Sequence, residues 1–334
     1  RTPPHARPSA RLSSAQGPPA LATSRLAVRL RTGHCTPPRG LTLTRPIVYR
    51  GRCLVLKVFI SLDMEGVSGI VSRQETLPSG QYYADCRRWF TWDANAAIEG
   101  ALAGGATEIV ATDPHHQLNI LWEELHPKAE LVRRDLIAHC PLYLLEGLDE
   151  SFDVVLFVGQ HVRYGHQRGV LSHTLTRPFA HVRINGQPVD ETRLATAMAG
   201  HMGVPVGLVT GDDAVCQGTR SWLPQIETAV VKYAVDTYAA LCLPKEEAHA
   251  LIRTAAEAAV KKTPHLSAYT FPAPVELEVD LLSPPAAAKL TLLPGVERTG
   301  ELTVRYSSDE FDDVWRILWA MVFIASTARD PIPW

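Results

Sequence analysis

Three short segments place groups that can bind metal ions just after apolar runs. They are Asp63-Met64-Glu65-Gly66, Asp113-Pro114-His115-His116 and Gly159-Gln160-His161. Asp63 and Glu65 are separated by a single residue, so on an extended backbone both carboxylates point to one side. Two carboxylates in one cleft repel each other unless they are protonated or neutralised by cations, and a pair of metal ions resolves that conflict. Carboxylate oxygens combined with imidazoles suit zinc, with manganese or cobalt as substitutes, whereas an all-oxygen set points to magnesium. No thiol joins the set, which argues against a closed structural site. Two metal ions sharing a carboxylate can lower the pKa of a bound water and polarise a carbonyl, so the chemistry implied is hydrolysis.

Taken singly, such residues more often serve structure. An Asp or Glu at a strand-to-loop junction usually caps a helix or faces solvent, and a lone His usually sits hydrogen-bonded in the core or on the surface. His116, His126, His139, His181 and His249 are read that way, and Asp212-Asp213 after Gly211 is read as a turn and helix N-cap. Asp63, Glu65, His115 and His161 stand apart because they fall together at three successive strand ends.

The elements that must position them are short and alternate in type. Leu54 to Leu62, Thr107 to Thr112 and Val154 to Val158 read as buried strands, with an Ala-rich helix over Asp93 to Gly104 and weaker helical patterns over Leu121 to Leu125 and Leu136 to Glu146. Strands alternating with helices predict a mainly parallel sheet covered on both faces, an α/β fold whose ligand site lies beyond the carboxyl ends of the strands. Further on, Gly169 to Leu175 reads as a strand, and His181 to Val189 as a hairpin turning at Asn185-Gly186. A helix over Thr192 to His201 and strands over Val204 to Val209 and Thr228 to Val235 follow. The final third predicts a helix near Lys245 to Lys262, strands near Val275 to Val279 and Leu302 to Tyr306, and a Trp-bearing helix from Asp309 to Ala325. The division expected is a tail (1–52), an α/β catalytic region (53–240) and a C-terminal α+β portion (241–334).

Composition separates the tail from the body. The 334 residues carry 33 Lys and Arg against 35 Asp and Glu, yet residues 1–57 hold eleven of the bases and none of the acids. That Pro-, Arg- and Ser-rich stretch has no sustained period and is expected to be disordered. It contains no Met, the first being Met64, so it reads first as translated upstream sequence or a fragment end. An Arg-rich, acid-free start also suits an organelle transit peptide, and a nucleic-acid-binding arm ranks last. No run approaches the roughly 18 uninterrupted apolar residues of a membrane span, so no membrane partner is expected. The six cysteines lack the two-residue spacing of zinc ribbons or redox pairs, and a reducing, cytoplasmic setting is expected.

The run Ser61-Leu62-Asp63-Met64-Glu65-Gly66-Val67-Ser68-Gly69 resembles the opening signature of the zinc-dependent D-aminopeptidase family of bacterial dipeptide-transport operons. In family order there follow Thr112-Asp113-Pro114-His115, Leu125-His126-Pro127, Glu146-Gly147-Leu148-Asp149, Gly159-Gln160-His161, Gly169-Val170-Leu171-Ser172-His173, Ile184 to Val189 with Glu191, and Gly211-Asp212-Asp213. The resemblance implies a zinc-dependent hydrolase with two Zn²⁺ per subunit. Its ligands would be Asp63, Glu65, His115, His161 and Glu191, with Asp63 bridging the two ions. His173 would be the catalytic histidine, a nucleophile. The same resemblance implies cleavage of N-terminal residues from short peptides, D-amino-acid peptides in particular, by a ring-like homo-oligomer, a decamer. Two features depart from the family pattern: an extra residue between His161 and His173, and His116 in place of a small polar residue. Two alternatives stay open: a metal-dependent hydrolase of another bond, such as a phosphoester met by Arg163 and Arg168, or a metal- or peptide-binding protein without turnover.

Overall fold

The computed structural model describes residues 55–115, 118–135 and 142–328. The expected disordered tail, His116 and His139 lie outside the described residues. In chain order the elements are β1 (Lys57–Leu62), α1 (Arg73–Thr76), α2 (Tyr83–Ala103), β2 (Glu108–Thr112), β3 (Ala129–Val132), β4 (Val154–Gln160), β5 (Phe179–Ile184) and β6 (Gln187–Pro188). Then come α3 (Glu191–His201), β7 (Val206–Asp212), α4 (Asp213–Trp222), β8 (Glu227–Asp236), β9 (Ala239–Cys242), α5 (Lys245–Lys262), β10 (Val275–Leu281), α6 (Pro284–Leu290), β11 (Glu297–Arg298), β12 (Thr303–Ser308) and α7 (Phe311–Ser326).

Seven strands form the main sheet in the order β3-β2-β1-β4-β7-β8-β9, all parallel except β9, which pairs antiparallel with β8. The period of two along each strand splits its side chains between two cores. Val58, Ile60 and Leu62 with Val154, Leu156 and Val158 join the core under α2 and α5, while Phe59, Val155 and Phe157 join the core under α3, α4 and α7. The expected α/β architecture, with helices on both faces, is therefore the one observed.

The second sheet is antiparallel, in the order β11-β12-β10-β5-β6, and β10 buries Val275, Leu277, Val279 and Leu281 in strict alternation. It takes β5 and β6 from the region expected to be catalytic and β10 to β12 from the expected C-terminal portion. Asn185 and Gly186, at φ 50° and 74°, make its expected two-residue turn.

Some local expectations change. The Ala-rich helix starts at Tyr83 rather than Asp93, and the Leu121 to Leu125 pattern collapses to a single tight turn, Trp122–Glu124. Within Leu136 to Glu146, the described part holds only the short turn Tyr143–Leu145. Gly169 to Leu175 is not a strand: Leu171 and Leu175 sit at φ 51° and 58°, which breaks the pleat. Helix α4 begins at the N-cap expected at Asp212-Asp213, whereas helix α6 and strands β3 and β9 are not among the expected elements.

Strand order reverses between β1 and β4, since β2 and β3 lie on one side of β1 and β7 and β8 on the far side of β4. Ligands of open α/β sheets bind in the crevice at such a switch point. Two glycines bring the chain together there. A Cβ on Gly66 would sit 2.0 Å from the Gln160 carbonyl oxygen, and one on Gly159, at φ +79°, would sit 2.0 Å from that of Asp63. The Gly66 N–H donates to Gly159 O at 2.7 Å, which fastens the loop after β1 to the end of β4.

Candidate metal centre and active site

Asp63 and Glu65 follow β1, His115 follows β2 and His161 follows β4, so the switch point receives residues from three neighbouring strands. Glu191 reaches them from the first turn of α3, whose start is fixed by Asp190 accepting the Arg193 N–H at 2.8 Å. His173 comes from the left-handed loop after Gly169. Its position depends on backbone bonds to distant partners: Leu171 N–H to Thr237 O at 2.7 Å and Leu175 N–H to Glu191 Oε1 at 2.6 Å.

All six residues singled out in the sequence meet here. His161 Nδ1 donates to Val162 O at 3.0 Å, which directs Nε2 to Asp63 Oδ2 at 3.3 Å and Glu191 Oε1 at 3.5 Å. His115 Nε2 lies 3.1 Å from Glu65 Oε1. His173 Nδ1 faces Leu171 O at 2.9 Å, its ring stacks on His161 with centroids 4.2 Å apart, and its Nε2 is 4.0 Å from Glu191 Oε1. Two sets have ligand atoms within 4.8 Å of one another, Asp63 with Glu65 and His161, and His161 with His173 and Glu191, so His161 belongs to both. Either set can hold a metal ion.

The electrostatics are those of a site short of positive charge. Burial, and then the charges of Glu65 and Glu191, push the Asp63 carboxyl well above the usual range. Burial alone would raise Glu65 too, but His115, with His173 and His161, outweighs it and holds that carboxyl well below its ordinary value. His115 is raised, its burial overcome by Glu65, whereas burial and then His161 lower His173. Glu65 Oε2 is buried without a hydrogen-bond partner among the described residues. A buried carboxylate oxygen whose lone pairs are unengaged, inside a mixed nitrogen and oxygen donor set, fits a metal ion.

Exposure divides the cluster by role. The side chains of Asp63, Glu65, His115, His161 and Glu191 are 2–11% exposed, whereas His173 is 27% exposed and, with Glu65, lines a pocket of about 330 Å³. His173 is therefore the imidazole most open to a bound molecule.

The residues read as structural behave so. Asp212 caps α4 through the Val215 N–H at 2.9 Å, Asp213 pairs with Arg168 at 2.6 Å, and His249 lies 3.2 Å from buried Asp93. Asp113 staples its loop by accepting the Ile120 N–H at 3.0 Å and an Asn119 side-chain N–H at 2.7 Å. Sequence reasoning missed Lys232. Its ammonium, fully buried in β8, donates to the carbonyls of Glu65, Val67 and Ile70 at 2.7, 2.9 and 2.5 Å, tying down the loop that carries Glu65. Burial pushes this lysine down to about 8. The signal was present as a lone charge within Ala229-Val230-Val231-Lys232-Tyr233-Ala234.

Fold and site together define an open α/β protein whose switch point carries a buried histidine–carboxylate cluster able to hold metal ions beside a small pocket. The chain belongs to the D-aminopeptidase family, a family of peptidase hydrolases whose model matches residues 56–320. It is 31% identical over 272 residues to the D-aminopeptidase of Bacillus subtilis (strain 168), covering 81% of this chain and 98% of the relative. A solved structure described as the Zn-dependent D-aminopeptidase DppA from Bacillus subtilis, a self-compartmentalizing protease, superposes with a TM-score of 0.78 at 30% identity, covering 82% of this chain and 99% of that one.

Proposed function

We propose that this chain is a binuclear zinc aminopeptidase that removes the N-terminal residue from short D-amino-acid peptides. The observation that carries the reading is the convergence of three carboxylates and three imidazoles at the switch point, one carboxylate oxygen being left without a partner. Asp63, Glu65, His115, His161 and Glu191 would hold the metal, and five ligands are more than a single tetrahedral zinc with an open position uses. Asp63 would take the bridging role. When bound, zinc supplies Lewis-acid polarisation of the scissile carbonyl and a lowered pKa for water.

The side chains contribute the rest. His173, with Nδ1 engaged by Leu171 O, keeps the Nε2 lone pair for the pocket, where it acts either as the nucleophile on the scissile carbonyl or as the base that takes a proton from the attacking water. A protein that only bound metal or peptide would have no use for such a group. The two arginines weighed for the phosphoester alternative are engaged outside the cluster, Arg163 on Tyr164 O at 3.0 Å and Arg168 on Asp213. Residues 53–240 supply every proposed ligand. A homo-oligomer, the decamer of the family resemblance, is supported by Tyr233, Val235, Tyr238 and Leu241, which are exposed together on the β8–β9 hairpin. A cytoplasmic location completes the proposal; among the described residues no helix is long and apolar enough to cross a membrane.

The test is elemental analysis of gently purified protein together with a panel of D- and L-dipeptides and a phosphomonoester. About two zinc ions per chain and release of D-alanine from D-Ala-D-Ala are expected. Turnover of the phosphomonoester with no peptide cleavage would overturn the reading.

A further inference from the structure

The pocket beside the cluster has a charge pattern that the metal centre does not use. Besides Glu65 and His173, its lining includes Arg73, from the start of α1, and Arg177, from the loop that carries His173. Neither arginine has a carboxylate or hydrogen-bond partner among the described residues, although most other arginines near the site are engaged: Arg87 on the Asn119 and Leu118 carbonyls, Arg134 on Pro114 O and Arg168 on Asp213. An arginine with free donors at the wall of a pocket is suited to planar, bidentate recognition of an oxyanion.

The segment that presents Arg177 is held in place. Thr174 is buried and accepts the Tyr164 N–H at 3.0 Å, Leu175 is tied to Glu191, and the Thr176 hydroxyl meets that of Ser326 at 2.9 Å. Arg177 thus follows, two residues on, a backbone segment tied to a carboxylate of the metal cluster, Glu191. On the opposing segment, Ser72 and Glu75 form a reciprocal cap around Arg73, the Ser72 and Val71 N–H groups each donating to Glu75 at 2.7 Å.

From these observations we infer that Arg73 and Arg177 bind the C-terminal carboxylate of the substrate and so restrict the enzyme to very short peptides. The inference rests on the aminopeptidase reading and names its substrate class. A volume of about 330 Å³ lies at the small end of ligand pockets, which run from about 300 to 1,000 Å³. A zwitterionic di- or tripeptide matches a lining that includes both a carboxylate, Glu65, and two arginines, Arg73 and Arg177. Leu171 and Leu175 of the lining would face small apolar side chains such as the methyl of alanine.

Two measurements test it on the zinc-loaded protein. The first compares kcat/KM for D-Ala-D-Ala and its C-terminal amide in wild type, Arg73→Gln, Arg177→Gln and the double variant. Wild type should prefer the free acid by about 10-fold to 100-fold, mostly in KM, and the double variant should lose that preference while keeping its rate on the amide. The second is calorimetric titration with N-acetyl-D-alanine and N-acetyl-D-alaninamide, which have no free amine to be processed. The acid should bind more tightly, less so at high salt, and the double variant should treat the two alike. Cleavage of acid and amide with equal efficiency and equal binding of the two probes would overturn the subsite and leave the aminopeptidase standing. Acid-selective binding without any peptide hydrolysis would do the reverse, upholding the carboxylate site and removing the aminopeptidase reading.

Discussion

The carboxyl edge of the seven-stranded sheet and the middle of the five-stranded sheet both gather charged side chains, and they treat them in opposite ways. At the edge, Asp63, Glu65 and Glu191 are buried in one cluster, burial and then the charges of Glu65 and Glu191 raise the Asp63 carboxyl, and Glu65 Oε2 has no partner among the described residues. In the five-stranded sheet, half-buried Asp280 receives Arg183 through two bonds, at 2.6 and 2.9 Å, with the Thr303 hydroxyl adding a third at 2.8 Å. One group of charges is left incomplete and the other is closed. An incomplete buried cluster opposes folding until a cation joins it, so its retention points to function, whereas a closed pair needs no further explanation than local stability.

The difference is broken most severely at the incomplete site. Asp63→Ala should lose most of the bound metal and with it nearly all activity, as read by elemental analysis and peptide turnover. His173→Ala is the sharper comparison, because His173 is both the most exposed member of the cluster and close enough to His161 and Glu191 to be a ligand itself. If it acts on substrate, kcat should fall by roughly 10²-fold to 10⁴-fold while metal content and Tm hold. Loss of metal in proportion to activity would instead place His173 in the ligand set.

Between these extremes lies Lys232, a charge that is buried yet closed. Lys232→Met would leave the Glu65, Val67 and Ile70 carbonyls without their shared donor, and a destabilisation of about 2–4 kcal/mol is expected from urea unfolding. Metal affinity should weaken as well, because the loop that carries Glu65 is loosened. Unchanged or increased stability would show that the ammonium costs as much to bury as its three bonds return.

What could be read from the sequence follows the range of the forces involved. The helix expected near Lys245 to Lys262 is α5, and the strands ending at Asp63, His115 and His161 are β1, β2 and β4, because apolar period and turn residues are local signals. Glu191 opens a helix, where an acid is ordinary, and only the family resemblance singled it out. Gly169 to Leu175 had the composition of a strand. Its left-handed residues are set by Thr237 and Glu191, partners that no local pattern reveals. Lys232 acts on carbonyls 162 to 167 positions earlier in the chain, so its charge was visible and its purpose was not.

The smallest effect belongs to the closed pair and carries a sign in pH. The Asp280 carboxyl lies below its ordinary value, first through the Arg183 hydrogen bonds, against the opposing pull of partial burial, with Thr303 helping. A carboxyl lowered on folding contributes stability that is present above the unfolded value, about 3.9, and that is lost as pH falls through the lower folded value. Discounted for solvent screening, the contribution of this half-buried pair should not exceed about 1 kcal/mol. Asp280→Asn should therefore unfold at a lower urea concentration than wild type at pH 7, by a gap that stays constant down to about pH 5 and closes below about pH 4. Both proteins share the same metal cluster, so loss of metal in acid acts on each alike and leaves the difference between them to Asp280. A gap that persisted undiminished into acid would mean that the asparagine disturbs the β10–β5 pairing itself, and the contrast between a closed structural charge and an open functional one would then rest on the metal site alone.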